Sequence, residues 1–337
     1  MRDWRAVLSE QEQDTLTPKR MPQWTQPMLA TLTDERFSDA DWLFERKLDG
    51  ERCLVFRRKS RLHILSRNRQ ALNDTYPELV DALGDTGPQH YIADGEIVAF
   101  SGRRTSFARL QGRLGIDDPE AARNSGIKVY LYLFDLLYLD DADITQLPLR
   151  QRKNLLRRCF GFSGPLRYTA HRNECGEAYY QKACDKGWEG VIAKRADSPY
   201  VHSRSRHWLK FKCVRRQELV IAGYTDPEGS RIGFGALLLG FYRDRKLHFA
   251  GKVGTGFDDE TLEQLGDKLQ SLQQDDCPYA ETPQAAGKGV HWVKPELVAE
   301  IGFTEWTQDH RLRHPRFLGL RHDKPPTRVV RETPESR

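Results

Sequence analysis

Along much of this chain hydrophobic and polar residues alternate with a period of two, the spacing at which a strand sends successive side chains to opposite faces. Short runs of this kind predict strands at residues 42–48, 53–57, 62–65, 91–100, 129–139, 190–194 and 208–211. Between them lie segments that predict helices at 76–83, 149–159 and 176–186. After Val214, Arg215 and Arg216 the character changes to strands at 218–224, 235–243 and 246–253, one helix at 258–272 and further strands from 290 to 306. A first α+β domain on antiparallel sheets is therefore expected, then few short strands wrapped round a single helix, as in a small β-barrel such as an OB-fold. The expected layout is a loosely held polar arm at 1–20, domains at 21–213 and 214–328, and a C-terminal tail at 329–337. Two domains also suit a chain of 337 residues, since single cores rarely grow past ~250–300 residues.

Composition changes this picture little. A hydrophobic fraction of 38% with 26 Gly and 17 Pro is ordinary for a folded chain. The net charge of +5 argues only weakly for a nucleic-acid partner. Clustering argues more strongly: Arg57, Arg58, Lys59, Arg61, Arg67 and Arg69 crowd together, as do Arg103, Arg104, Arg109 and Arg113, and Arg311, Arg313 and Arg316. Charged loops at 103–113 and 198–206, the latter with Arg204 and Arg206, are candidates for contacts to a nucleic-acid backbone. The six cysteines lack any Cys-x-x-Cys spacing, so neither a zinc cluster nor a disulfide framework is expected. The first twenty residues lack the apolar run of a secretory signal, and the longest apolar stretch, 129–139, is broken by Asp135 and too short to span a bilayer. A cytoplasmic protein without membrane attachment is expected.

The candidate chemistry starts at Lys47. Alternation over 42–48 puts Glu45 and Lys47 on one face and Phe44 and Leu48 on the other. Asp49 and Gly50 are a strong turn signal, predicting a hairpin that returns Arg52 beside Lys47. Further charged groups stand at or beside strands: Arg67 between Ser66 and Asn68, Asp94 and Glu96 sharing one face, Glu189 before an apolar run ending at Lys194, and Lys210 and Lys212 alternating with Leu209 and Phe211. Each alone reads as an ordinary charged surface. Together they form a set that can converge on one phosphate-binding pocket.

In this order, Lys-Leu-Asp-Gly-Glu-Arg at 47–52, Ser-Arg-Asn at 66–68, Asp-Gly-Glu at 94–96, Phe134 with Asp135, Glu-Gly-Val-Ile-Ala-Lys at 189–194 and Trp-Leu-Lys-Phe-Lys at 208–212 resemble the motifs of the covalent nucleotidyltransferases. More closely, the set resembles ATP-dependent DNA ligases of the bacterial type found alone or as the ligase module of ligase D, and residues 316–324 resemble that family's final motif. The resemblance implies a nucleotidyltransferase domain of ATP-grasp-like antiparallel sheets followed by a β-barrel OB-fold domain. It implies sealing of 5′-phosphate/3′-hydroxyl breaks in duplex DNA through a lysyl-AMP enzyme and a DNA-adenylate, in repair or end joining. Lys47 would attack the α-phosphorus of ATP; its amine must then be uncharged, although a free lysine has a pKa of ~10.4. Lys210, Lys212 and a divalent metal, Mg²⁺ or Mn²⁺, would supply the neighbouring positive charge that favours deprotonation and would steady the phosphates. Glu189 and Asp49 would hold the metal. Glu96 would accept from the ribose, Phe134 would stack on adenine, Arg52 would reach ribose and phosphate, and Arg67 would hold the 5′-phosphate at the break. Base selection would involve backbone near Glu45 and Lys194 as much as side chains. Arg321, Asp323 and Lys324 would reach the outer phosphates when the second domain swings over the pocket. The implied partners are nicked or broken duplex DNA and, by analogy, a Ku-type end-binding protein, with the chain a monomer at the bacterial nucleoid.

Rival readings share parts of this pattern. A capping enzyme would load GMP, an RNA ligase would carry a different second domain, and an NAD⁺-dependent ligase would need a cysteine cluster for zinc. A DNA-binding module alone would leave the charged motifs without purpose, since burying unpaired charge is costly.

Overall fold

A computed structural model describes residues 4–213, 215–227, 229, 231–284 and 289–334. Residues 1–3 of the expected arm, Val214 at the expected domain boundary and residues 335–337 of the tail lie outside the described residues. The chain forms two compact units, Met1–Cys213 with Thr333–Arg337, and Val214–Glu332.

The first unit is built on two sheets. The larger has the spatial order Thr17–Pro18, Ala142–Asp143, Val129–Leu139, His90–Ser101, Glu51–Arg58, Arg61–Ser66. The smaller has the order His171–Asn173, Trp42–Lys47, Gly190–Arg195, Arg204–Lys212, Leu29–Leu32. Pairing is antiparallel except where Leu29–Leu32 meets Arg204–Lys212 and where Leu166–Tyr168 meets Val129–Leu139. The larger sheet packs Val55, Ala93, Leu131 and Leu133 against Leu79 and Leu83 of helix Pro77–Gly84 and Leu155 and Leu156 of helix Leu149–Cys159. Beneath the smaller sheet, Trp42, Phe44, Val191, Ala193, Leu209 and Phe211 meet Ala183 of helix Gly176–Asp185. Each fully buried Leu or Phe contributes ~1.5–3 kcal/mol.

Three expectations are overturned. Trp42–Lys47 and Glu51–Arg58 do not form a hairpin, because the first strand already pairs with His171–Asn173 on one edge and Gly190–Arg195 on the other. The chain crosses instead from the smaller to the larger sheet through Leu48, Asp49 and Gly50. Gly50 suits this crossover, since a Cβ there would lie 2.1 Å from the Ile97 carbonyl oxygen. The N-terminal arm is not loose either: Trp4 and Leu8 join the core of the larger sheet, and the Trp4 indole N–H donates to Asp140 at 2.8 Å. Ser9 and Glu12 cap helix Glu10–Asp14 reciprocally, after which Thr17–Pro18 adds to the sheet. Finally, Cys184 and Cys213 form a disulfide with their Cα atoms 5.1 Å apart, a pairing their separation of 29 residues did not announce.

In the second unit Lys246–Val253, Leu237–Arg243, Arg216–Thr225 and Val290–Gly302 pair antiparallel in that order, and Gln273–Gln274 and Arg316–Arg321 add to Val290–Gly302. Register shifts near Gly223, Gly240 and Ile301 bend the sheet. A two-residue turn with both Asp244 (φ 52°) and Arg245 (φ 61°) left-handed joins Leu237–Arg243 to Lys246–Val253. Helix Asp259–Ser271, N-capped by Asp258, presses Leu262, Leu265 and Leu269 into the core beside Leu219, Ile221 and Leu239. No helix among the described residues is long and apolar enough to cross a membrane.

Candidate active site

Strand register lines up the charged residues. Across Trp42–Lys47, Gly190–Arg195 and Arg204–Lys212, Lys47 stands opposite Gly190 and Gly190 opposite Lys212, while Glu45, Ile192 and Lys210 form the next row and Leu43, Lys194 and Trp208 the third. Directly opposed residues of antiparallel strands point the same way, so these rows share the face away from the Phe44 and Phe211 core. Gly190 keeps the middle of the first row bare. Its φ is +154° and a Cβ would lie 2.0 Å from the Phe211 carbonyl oxygen, so the position is reserved for glycine.

Above these rows opens a pocket lined from both sheets, with about 100 Å³ of free space. The smaller sheet lends it Glu45, Lys47, Lys194 and Trp208, and the larger sheet Arg52, Glu96 and Phe134. Leu48, expected on the opposite face with Phe44, also lines it, because the strand ends at Lys47 and alternation stops there.

Cations and carboxylates in this wall are paired. Lys47 Nζ lies 2.5 Å from Glu189 Oε1. Arg52 grips buried Asp94 through two hydrogen bonds, 2.6 and 2.7 Å, and donates to the Met28 carbonyl. The Tyr200 hydroxyl donates to the same carboxylate at 2.6 Å and accepts from the Met28 N–H. Arg52 and Lys194 both sit over the Phe134 ring, 4.6 and 4.2 Å from its centre, and Lys194 is 4.0 Å from the Trp208 ring. Buried Glu45 meets Lys194 at 2.7 Å through one oxygen and Lys153 through the other.

Two lysines share one carboxylate here. Burial pushes Glu45 up, but Lys153 and Lys194 outweigh it and hold its carboxyl below the ordinary value. Burial, helped by the charge of Lys153, pushes Lys194 down to about 8 despite its contact with Glu45. His171, the cross-strand neighbour of Glu45, is pushed down to about 4 by burial and by Lys153, so it adds no charge at neutral pH.

Other expected residues lie elsewhere. Asp49 stands in the crossover after Lys47, its N–H donating to the Thr105 hydroxyl and its carboxylate accepting from the Phe107 N–H at 3.3 Å. Arg67 follows strand Arg61–Ser66, its N–H donating to the Arg52 carbonyl. Arg204 and Arg206 are exposed, and Arg204 donates to the Ala30 carbonyl. In the second unit Arg321 binds Asp323 through two hydrogen bonds, 2.8 and 2.7 Å, with Glu300 at 3.6 Å, and Lys324 contacts Glu218 at 3.2 Å. Among the described residues there is no group of three or more His, Cys, Asp or Glu side chains able to hold a metal.

Sequence reasoning missed several groups that line the pocket or pair with buried carboxylates near it. Trp208 shares its face with Lys210 and Lys212, so the same alternation could have found it. Lys153 and Arg152 carried no signal: they sit on the buried stripe of helix Leu149–Cys159, where Arg152 pairs with buried Asp135 at 2.8 and 3.0 Å. Thr169, between two short strands, lines the pocket without belonging to any recognised pattern.

Comparison with known proteins bears on this geometry. Residues 27–212 match the family described as ATP dependent DNA ligase domain, and residues 230–324 match the ATP dependent DNA ligase C terminal region. The chain is 37% identical over 321 residues to the multifunctional non-homologous end joining protein LigD of Pseudomonas aeruginosa, covering 93% of this chain and 37% of that protein. It is 37% identical over 313 residues to the multifunctional non-homologous end joining DNA repair protein LigD of Mycobacterium tuberculosis, covering 91% and 40%. The chain thus spans about two fifths of the length of these relatives. A solved mycobacterial DNA ligase D, complexed with ATP and MES, matches with a TM-score of 0.65 at 34% identity, over 91% of this chain and 98% of that one. The expected fold, a nucleotidyltransferase domain followed by an OB-fold domain, is therefore the fold of this chain. With both ligase regions matched in order, and the first alone covering more than half of its length, the protein belongs to the ATP-dependent DNA ligases.

Proposed function

We propose that this chain seals 5′-phosphate/3′-hydroxyl breaks in duplex DNA through covalent AMP on Lys47, in the end-joining repair for which its LigD relatives are named. The observation that carries the reading is Lys47 itself, in a pocket wall between two sheets, 2.5 Å from Glu189 and one bare glycine away from Lys212. Its amine attacks the α-phosphorus of ATP, the new N–P bond forming as the bond to pyrophosphate breaks. Glu189 is within reach of the ammonium proton that must leave first. The AMP then passes to the 5′-phosphate at the break, and attack by the 3′-hydroxyl joins the strands and releases AMP.

Lys210 and Lys212 balance charge on the phosphates, Glu96 accepts from the ribose, and Phe134, Glu45 and Lys194 surround the base. A hard divalent ion fits beside Glu189, because Mg²⁺ uses one or two carboxylates and takes its other ligands from phosphate and water. When bound, that ion would neutralise charge building on the departing pyrophosphate. Asp49, fixed to the Phe107 N–H, steadies the crossover below Lys47. Arg67, Arg204 and Arg206 serve the DNA backbone, and a Ku-type end-binding protein is the partner class that end joining calls for.

Incubation with α-labelled ATP and Mg²⁺ should leave label on the chain, and Lys47→Ala should abolish it. Label surviving that substitution would remove the mechanism. Sealing of a labelled nicked duplex tests the later steps.

A further inference from the structure

Thr169 is almost wholly buried, lines the nucleotide pocket, and its hydroxyl oxygen has no hydrogen-bond partner among the described residues. A buried hydroxyl left unpaired is costly, and in a residue that lines a ligand pocket it is a candidate to meet a group of the ligand. The Thr169 backbone is held by Lys153, which lies outside every nucleotide-binding motif of the sequence. One Lys153 ammonium donates both to Glu45 Oε1 and, at 3.0 Å, to the carbonyl of Thr169 itself. Lys153 is buried on helix Leu149–Cys159, anchored by Leu155 and Leu156 in the core of the larger sheet. A rigid element therefore ties the Thr169 backbone and the Glu45 carboxylate to one ammonium.

We propose that Thr169 binds the edge of the adenine ring, and that Lys153 is the positioning residue that fixes Thr169 and Glu45 as one base-reading unit. This deepens the ATP reading above and rests on it. Adenine offers an amine donor beside a ring-nitrogen acceptor. A carboxylate accepts from that amine, and a hydroxyl donates to that nitrogen. Guanine places a carbonyl where the amine stood, so Glu45 would face an acceptor with no proton between them. The hydroxyl contributes affinity, and the carboxylate, kept ionised and aimed by Lys153, contributes the choice between purines.

The test measures covalent labelling by α-labelled ATP and by α-labelled GTP in the full chain with Mg²⁺. Thr169→Val, which keeps the shape and removes the hydroxyl, should raise half-saturating ATP about tenfold, more than it lowers the maximal labelling rate. Lys153→Met should narrow the ATP to GTP ratio about tenfold or more, and Lys153→Arg should restore most of it. The proposal fails if Thr169→Val leaves half-saturating ATP within about twofold of wild type, or if Lys153→Met weakens both nucleotides alike. Should Lys153→Met not fold, Thr169→Val decides alone. A wild-type chain that takes no label sinks the lysyl-AMP reading, whereas a labelled wild type with an indifferent Thr169→Val sinks only the base-reading unit.

Discussion

Lys194 holds its proton more loosely than a free lysine, because burial penalises its charge and the neighbouring Lys153 adds to that, together outweighing its contact with Glu45. Half-saturating ATP should therefore rise as the pH climbs through about 8, where Lys194 becomes neutral, and Lys194→Met should remove that limb of the profile. The stability consequence has a definite sign. With its folded pKa near 8 below the unfolded value of 10.5, Lys194 binds fewer protons folded than unfolded across that window, so its contribution to stability grows as pH rises through it. Glu45, depressed, works the other way: its contribution is present above the ordinary carboxylate pKa and is lost on acidification. Denaturant midpoints taken at steps of pH check both signs. A second residue-scale expectation concerns Arg152, fully buried with Asp135. Arg152→Met leaves that carboxylate buried and uncompensated and should cost about 3–5 kcal/mol in urea unfolding, whereas an exposed pair such as Arg195 with Asp197 should contribute little.

At the scale of elements, Gly190 shows how strand geometry and chemistry constrain each other. Gly190→Ala forces a side chain into a backbone region worth roughly 1–3 kcal/mol of strain and against the Phe211 carbonyl. Both the urea midpoint and the labelling of Lys47 should drop. How much of this was legible in the sequence follows from the range of the forces involved. Alternation is a local property, so the strands carrying Lys47, Glu96, Lys194, Lys210 and Lys212 and the shared face of Glu45 and Lys47 could be read directly. Which strand pairs with which is not local: the turn signal at Asp49 and Gly50 suggested a hairpin, yet both edges of Trp42–Lys47 were already taken by strands more than a hundred residues away. Lys153 was illegible for a related reason. A lysine in a helix reads as solvent-facing, and only the tertiary arrangement reveals the buried carboxylate it serves. The N-terminal arm hid its anchor in the same way, since Trp4 and Leu8 make too short an apolar pattern to notice.

For the whole molecule, charge pairing runs within each of the two units. The second unit keeps Arg321 and Lys324 paired with its own carboxylates, Asp323, Glu300 and Glu218. If these cations serve the outer phosphates of ATP, Lys324→Ala should slow AMP loading while sparing the sealing of DNA that already carries AMP; equal losses in both assays would dismiss that role. The first unit raises a related point, because its pocket cations also have companions: Lys47 has Glu189, Arg52 has Asp94, and Lys153 and Lys194 have Glu45. An incoming triphosphate thus meets cations that carboxylates, not small ions, already neutralise, so its dissociation constant should change little between ~50 and ~200 mM salt. A duplex gripped through exposed arginines does displace them, and its affinity should fall by orders of magnitude over the same interval. Ionic strength becomes a dial that loosens the hold on DNA while leaving the nucleotide seated.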